Sequence, residues 1–213
     1  MKQKLLAAVQ AVLIALTVLS GSIALPILFR PFFYWHITPM DLTRLVGLEA
    51  QQIRDAYNAM MDFCIGLTDT FSTGVLPFSE EGMAHFVDVR KLFVLDLRVF
   101  AVAAVLLVGV SLARRKMPVK LHGHTPCFWG AMGLGSVFLI VGGLAALDFD
   151  RAFVIFHQMF FPGKSNWIFD GRKDPIIYML PAEFFRNCAI LILVGILLSC
   201  GGLLLWDRKK RNR

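Results

Sequence analysis

LFVLDLRVFAVAAVLLVGVSLARRK (92–116) decides the fold. From Leu92 to Ala113 it is apolar apart from Asp96 and Arg98 near its start, and then Arg114, Arg115 and Lys116 stop it. Roughly 20 such residues in a helix cross about 30 Å of hydrocarbon. Working outward, Leu5–Phe29, Phe128–Leu147 and Phe184–Trp206 read the same way. With 57% hydrophobic residues and mean hydropathy +0.64 in 213 residues, the chain is too apolar for an ordinary soluble domain. The expected fold class is an all-α membrane protein: four transmembrane helices with a small, mainly helical extracytoplasmic cap.

The basic residues set the expected orientation. Lys2 and Lys4 precede the first span; Arg114, Arg115, Lys116 and Lys120 separate the second from the third; Arg208, Lys209, Lys210, Arg211 and Arg213 follow the fourth. Those segments hold 11 of the 22 Lys and Arg but only one of the 15 acids, Asp207. The net charge of +7 is therefore a topology signal and not a nucleic-acid footprint. Both termini and the 114–127 loop are expected in the cytoplasm. The chain divides into 1–29, first span; 30–91, extracytoplasmic cap; 92–147, second and third spans with their basic loop; 148–183, interfacial helix and outer loop; and 184–213, fourth span and basic tail. The apolar run up to Phe29 is longer than a typical signal-peptide core, so an uncleaved first span is expected.

In the cap, Pro39 and Asp41 read as a helix start, and Leu45, Leu48, Gln52, Asp55 and Met60–Met61 continue at helical spacing toward Cys64. FSTGVLPFS (71–79) reads as irregular, and a helix from Glu80 is expected to run into span two. On that helix His85, Asp88 and Asp96 fall near one face, at about −60° and +20° from His85. Asp96 either reaches the interface or pairs with Arg186. Phe149, Phe153, Phe156 and Phe160 form an aromatic stripe bordered by His157 and ended by Pro162-Gly163. Tyr34, Trp35, Trp167 and Tyr178 fit an interfacial belt.

Two blocks carry the chemistry: SEEGMAHFVDVRKLF (79–93) with His85, and FHQMFFPGKSNWIFDGRKDP (156–175) with His157. Imidazole is the side chain whose charge changes nearest neutral pH. Asp88 beside one histidine and phenylalanines beside the other would push their pKa values apart, as an acid and a base require. His36, in FFYWH, is expected in the belt, and His122 and His124 are expected to be solvated. The four cysteines show no CxxC spacing, although Cys64–Cys188 is a conceivable pair. HExxH and GxSxG are absent; Asp96 with Asp148 lacks the flanks of an aspartyl protease, and Ser79 reads better as an N-cap than as a nucleophile. No metal site is expected.

These two blocks, with DPIIYMLPAEFF (174–185) after them, resemble the lipoprotein intramolecular transacylase family, Lit, of bacterial integral membrane proteins. The resemblance implies an acyltransferase of the bacterial cell membrane. It would move the sn-2 acyl chain of a lipoprotein's S-diacylglyceryl group onto the α-amino group of the N-terminal cysteine, leaving the lyso-form, without a cofactor. His85 and His157 match the family's catalytic histidines. Asp88 is expected to orient His85, and Arg90, Asn166 and backbone amides are candidate oxyanion donors. Phe86, Phe153, Phe156, Phe160, Phe161, Trp167 and Tyr178 are expected to line a pocket. The implied partners are the diacylglyceryl-modified lipoprotein and membrane lipid; oligomeric state is not legible. Competing readings are a non-enzymatic membrane chaperone or assembly factor, and a metal-dependent membrane hydrolase.

Overall fold

A computed structural model describes residues 2–115 and 120–212; Lys116 and Arg213, two of the basic residues used for orientation, lie outside the described residues. The helices are α1 (Lys2–Leu28), α2 (Pro31–Tyr34), α3 (Leu42–Val46), α4 (Ala50–Cys64), α5 (Glu80–Ala113), α6 (Pro126–Leu147), α7 (Phe149–Phe160), α8 (Ile176–Met179) and α9 (Ala182–Arg211). No strand occurs among the described residues beyond an isolated Leu121–His124 bridge. Four helices, α1, α5, α6 and α9, are long and apolar enough to cross a membrane. The fold is thus an all-helical, multi-pass membrane protein. The chain separates into two compact units.

The first unit comprises the chain up to Ile23, Asp96–Ala146 and Ile190 onward. Its helices meet through small residues. Ala131, Ile196 and Cys200 form a buried cluster against Val18, Leu19 and Phe138. A Cβ on Gly130 would stand 2.6 Å from the Ala11 carbonyl oxygen, so any side chain there forces α1 and α6 apart. Large side chains point away from this core: Val105 is 71% exposed, Ile140 64% and Leu198 73%. Such a surface suits lipid and is far too apolar for water.

Two expectations are corrected in this unit. Asp96 keeps a buried Oδ2 without a hydrogen-bond partner, while Arg186 pairs with Glu183 at 3.0 Å, so the Asp96–Arg186 pair does not form. His124 is not simply solvated: its Nδ1 is 2.9 Å from the Asp207 carboxylate, which also accepts from the Thr125 N–H at 2.8 Å. A buried carboxylate needs such partners.

The second unit comprises Ala24–Leu95 and Leu147–Ala189. Its core is aromatic. Phe33 stacks on Tyr57 at 3.8 Å and meets Phe184 edge-on at 5.3 Å. Tyr34 donates to Asn58 at 2.6 Å, and Arg30 holds Asn58 and Asp62. His36 is hydrogen-bonded at both ring nitrogens: Nδ1 donates to the Phe32 carbonyl at 2.6 Å, and Nε2 accepts from the Asn187 amide at 3.0 Å. Asp41 adopts a left-handed conformation and gives its carboxylate to Arg44, and Gly47 closes α3 after five residues. α4 restarts with a capping box between Glu49 and Gln52. Its buried face is Ile53, Ala56, Tyr57, Met60 and Cys64, whereas Gln52 and Asp55 are exposed, so α4 is amphipathic. All four cysteines are free, which removes the Cys64–Cys188 pair.

Candidate active site

α5 carries His85 into the second unit because its first turn is anchored. The Ser79 N–H and hydroxyl both donate to Asp174, at 2.7 Å each, and the Ser79 hydroxyl accepts from the Gly82 N–H at 2.9 Å. Ser79 is therefore an N-cap whose own position is set by Asp174. Gly82 must lack a side chain: a Cβ there would stand 2.3 Å from Asp174 Oδ1. α7 carries His157. The Asp148 carboxylate caps it by accepting from the Arg151 N–H, and the Pro162-Gly163 turn, with Gly163 at φ 72°, follows its end.

These two helices bring the imidazoles together with ring centroids 5.9 Å apart. Both are nearly closed to solvent, His85 at 6% exposure and His157 at 8%. Phe161 touches both rings, at 4.9 Å from His85 and 5.7 Å from His157. Phe169 lies 5.5 Å from His85; Phe153 and Trp167 lie 4.2 and 4.7 Å from His157. His157 Nδ1 is 2.8 Å from the Phe153 carbonyl oxygen. A carbonyl only accepts, so Nδ1 bears the proton and Nε2 keeps a lone pair. His85 Nδ1 is buried with no hydrogen-bond partner.

α5 has 34 residues, about 51 Å of helix, so its first turns extend beyond any hydrocarbon layer, and His85 belongs to that part. Burial lowers the His85 pKa to about 4, helped by the neighbouring His157 and Lys164 against the opposing pull of Asp88. Burial also lowers that of His157, against its bond to Phe153. The expected contrast between a charged and a neutral histidine is therefore corrected: both favour the neutral form, because desolvation outweighs the nearest carboxylate.

The supporting residues are redistributed. Asp88 does not bond to His85. Its carboxylate accepts from Lys91 at 3.0 Å and Lys164 at 2.5 Å, and also from Asn166. Burial works to raise the Asp88 pKa, but these hydrogen bonds prevail and bring it below the usual value. Arg90 is turned toward Thr68 and Asp69, 2.8 and 2.7 Å away, with its guanidinium over Phe63. Asn166 helps to lower the Asp88 pKa, and its own buried Oδ1 has no hydrogen-bond partner. Of the expected pocket residues, Phe153, Phe156, Phe161 and Trp167 border His157, and Phe86 lies 5.9 Å from His85. Phe160 stacks on Phe156, and Tyr178 is exposed beside Gly171; neither meets a histidine ring.

A family profile described as lipoprotein intramolecular transacylase Lit matches residues 8–185. The chain belongs to the Lit family. Its structure is similar to that of the membrane-integral lipoprotein intramolecular transacylase Lit from Bacillus cereus, at TM-score 0.88 and 27% identity over 98% of this chain and 97% of that one. Two further structures of the Bacillus cereus protein, with H85R and H85A mutations in that protein, share the fold at TM-score 0.81 and 24% identity over 98% of this chain, and 93% and 94% of theirs. No curated protein sequence matches. As a Lit-family member this is a membrane-integral acyltransferase, a lipoprotein intramolecular transacylase.

The sequence reading missed three Lit residues that shape the site: Lys164, Phe169 and Asp174. Lys164 and Phe169 follow a Pro-Gly turn, where helical spacing no longer tells which side chains turn inward.

Proposed function

We propose that this protein moves the sn-2 acyl chain of a lipoprotein's S-diacylglyceryl group onto the α-amino group of the same N-terminal cysteine, with His85 and His157 as the acid/base pair. The observation that carries this reading is the 5.9 Å separation of two buried imidazoles, which lets one amine and one ester lie against both. The attack closes a ring through nitrogen, Cα, Cβ, sulfur, glyceryl C3 and C2, the ester oxygen and the carbonyl carbon. Eight-membered closure is entropically unfavourable, so holding the flexible end folded is the main catalytic task. The Phe153, Phe161, Trp167 and Phe169 walls suit that task and keep out water that would hydrolyse the ester.

The N–C bond forms as the bond from the acyl carbon to the glyceryl oxygen breaks, and one proton passes from nitrogen to that oxygen. His157, with its Nε2 lone pair, takes the proton from the amine. His85 gives a proton to the departing oxygen as it receives one from His157, so both imidazoles end neutral. An α-amino pKa of about 7.7–8.0 leaves a useful uncharged fraction at neutral pH. No enzyme nucleophile is required. The charge pattern supports a site on the extracytoplasmic side with both termini inside.

His85→Asn and His157→Asn test this. Substrate and product are isomers, so the assay reads loss of the free α-amine with an amine-reactive tag. Each variant is expected to lose about 10²–10⁴-fold in rate while its thermal unfolding persists. Wild-type rates in both would remove the pair from the mechanism.

A further inference from the structure

Beside the histidines lies a second feature that the acyl transfer itself does not use. Glu81 and Gly82 of α5 and the loop from Gly163 to Asp174 enclose a cleft of about 380 Å³. It lies one side chain away from the histidines: Phe169, on its wall, is 5.5 Å from His85, and Asn166, also on its wall, adjoins Trp167, whose ring is 4.7 Å from His157. Its lining is polar and carries both signs of charge, with Glu81 and Asp170 against Lys164 and Lys173. Asn166, on the cleft wall, has a buried Oδ1 without a hydrogen-bond partner. α7, by contrast, leaves Phe156, Met159 and Phe160 exposed at 46%, 64% and 45%. The histidines therefore stand between an apolar surface and a polar slot.

The substrate has the same division. Three arms leave the cysteine Cα: the amine that attacks, the thioether that leads to lipid, and the carbonyl that leads into the polypeptide. With the amine at the histidines and the acyl chains on the apolar side, the polypeptide needs a polar route. We infer that this cleft holds the main chain of the lipoprotein immediately after its acylated cysteine, with Asn166 Oδ1 accepting from a backbone N–H. A buried acceptor without a donor is unfavourable, and a peptide amide supplies the missing partner. The volume suits a short extended segment. Mixed charge on the walls favours recognition of main chain over any one side chain, as lipoproteins of varied sequence require.

This inference rests on the proposed reaction, and its test separates the two. Two synthetic substrates are compared on the full-length protein in detergent: dipalmitoylglyceryl-cysteine amide, and the same cysteine followed by four residues. The wild-type protein is expected to prefer the peptide by at least about tenfold in kcat/KM. Ser165→Trp and, independently, Lys173→Trp narrow the cleft from exposed loop positions and are expected to bring that ratio to about one. Conversion of both substrates at equal kcat/KM by the wild-type protein would overturn the peptide cleft and leave the reaction standing. A tenfold preference retained by both tryptophan variants would also overturn it. Conversion of neither substrate would overturn both readings.

Discussion

His85 pays for its place in the site with its charge. Buried, and beside His157 and Lys164, it has a pKa near 4 against an ordinary 6.5. The sign of the resulting pH dependence follows. Between pH 6.5 and about 4 the unfolded chain binds a proton at this position and the folded protein does not, so stability falls as pH is lowered through that window. His85→Phe removes the titration and is expected to flatten the dependence of thermal unfolding between pH 7 and pH 4.5. An equally steep acid loss in the variant would show that other groups cause it. NMR of ring-labelled histidine gives a direct check, with His85 neutral at pH 6. The two histidines were legible in the sequence because both lie in dense polar-aromatic blocks. The role of Asp88 was not. Its helical spacing from His85 put the two on one face, but Lys164, 76 residues away, took the carboxylate. A local spacing rule describes which side chains share a face and is silent on a cation delivered by a distant loop.

At the level of the element, α5 is aimed by its first turn. Ser79 was readable as an N-cap from its place before Glu80 and Glu81; that Asp174, 95 residues on, holds Ser79 was not. Asp174→Ala leaves the Ser79 N–H and hydroxyl without their acceptor and is expected to cost about 1–2 kcal/mol of stability. Because the same turn positions His85, the acyl-transfer rate is expected to fall as well. Gly82→Ala acts on the same contact, since its methyl would overlap the Asp174 carboxylate. Both variants are therefore expected to lower the unfolding temperature and kcat together. Full kcat in a destabilised Asp174→Ala protein would uncouple the capped turn from the site. The long apolar elements were readable because length and hydropathy suffice for them. The short ones, α3 and α4, were harder: their phase depends on a left-handed Asp41 and on Gly47, which reset the helix between Val46 and Ala50.

Over the whole molecule, the proposed topology has all four apolar helices crossing the membrane, and an even number of crossings puts both ends of the chain on one side. Which side depends on charge. The segments flanking the spans at that side carry 11 of the 22 basic residues with a single acid, and holding cations on the cytoplasmic side is the strongest orientation signal known for short loops. On the proposed orientation the histidine blocks face outward, toward the side where the proposed substrate would present its acylated cysteine. This topology is testable with single cysteines and a membrane-impermeant maleimide on intact cells. Ser165→Cys, in an exposed loop, is expected to label without permeabilisation, and Arg208→Cys only after it. The native cysteines are buried or half-buried, and the unsubstituted protein measures their background. Labelling of Arg208→Cys in intact cells, with Ser165→Cys protected, would invert the orientation and put the histidine pair on the side away from the substrate.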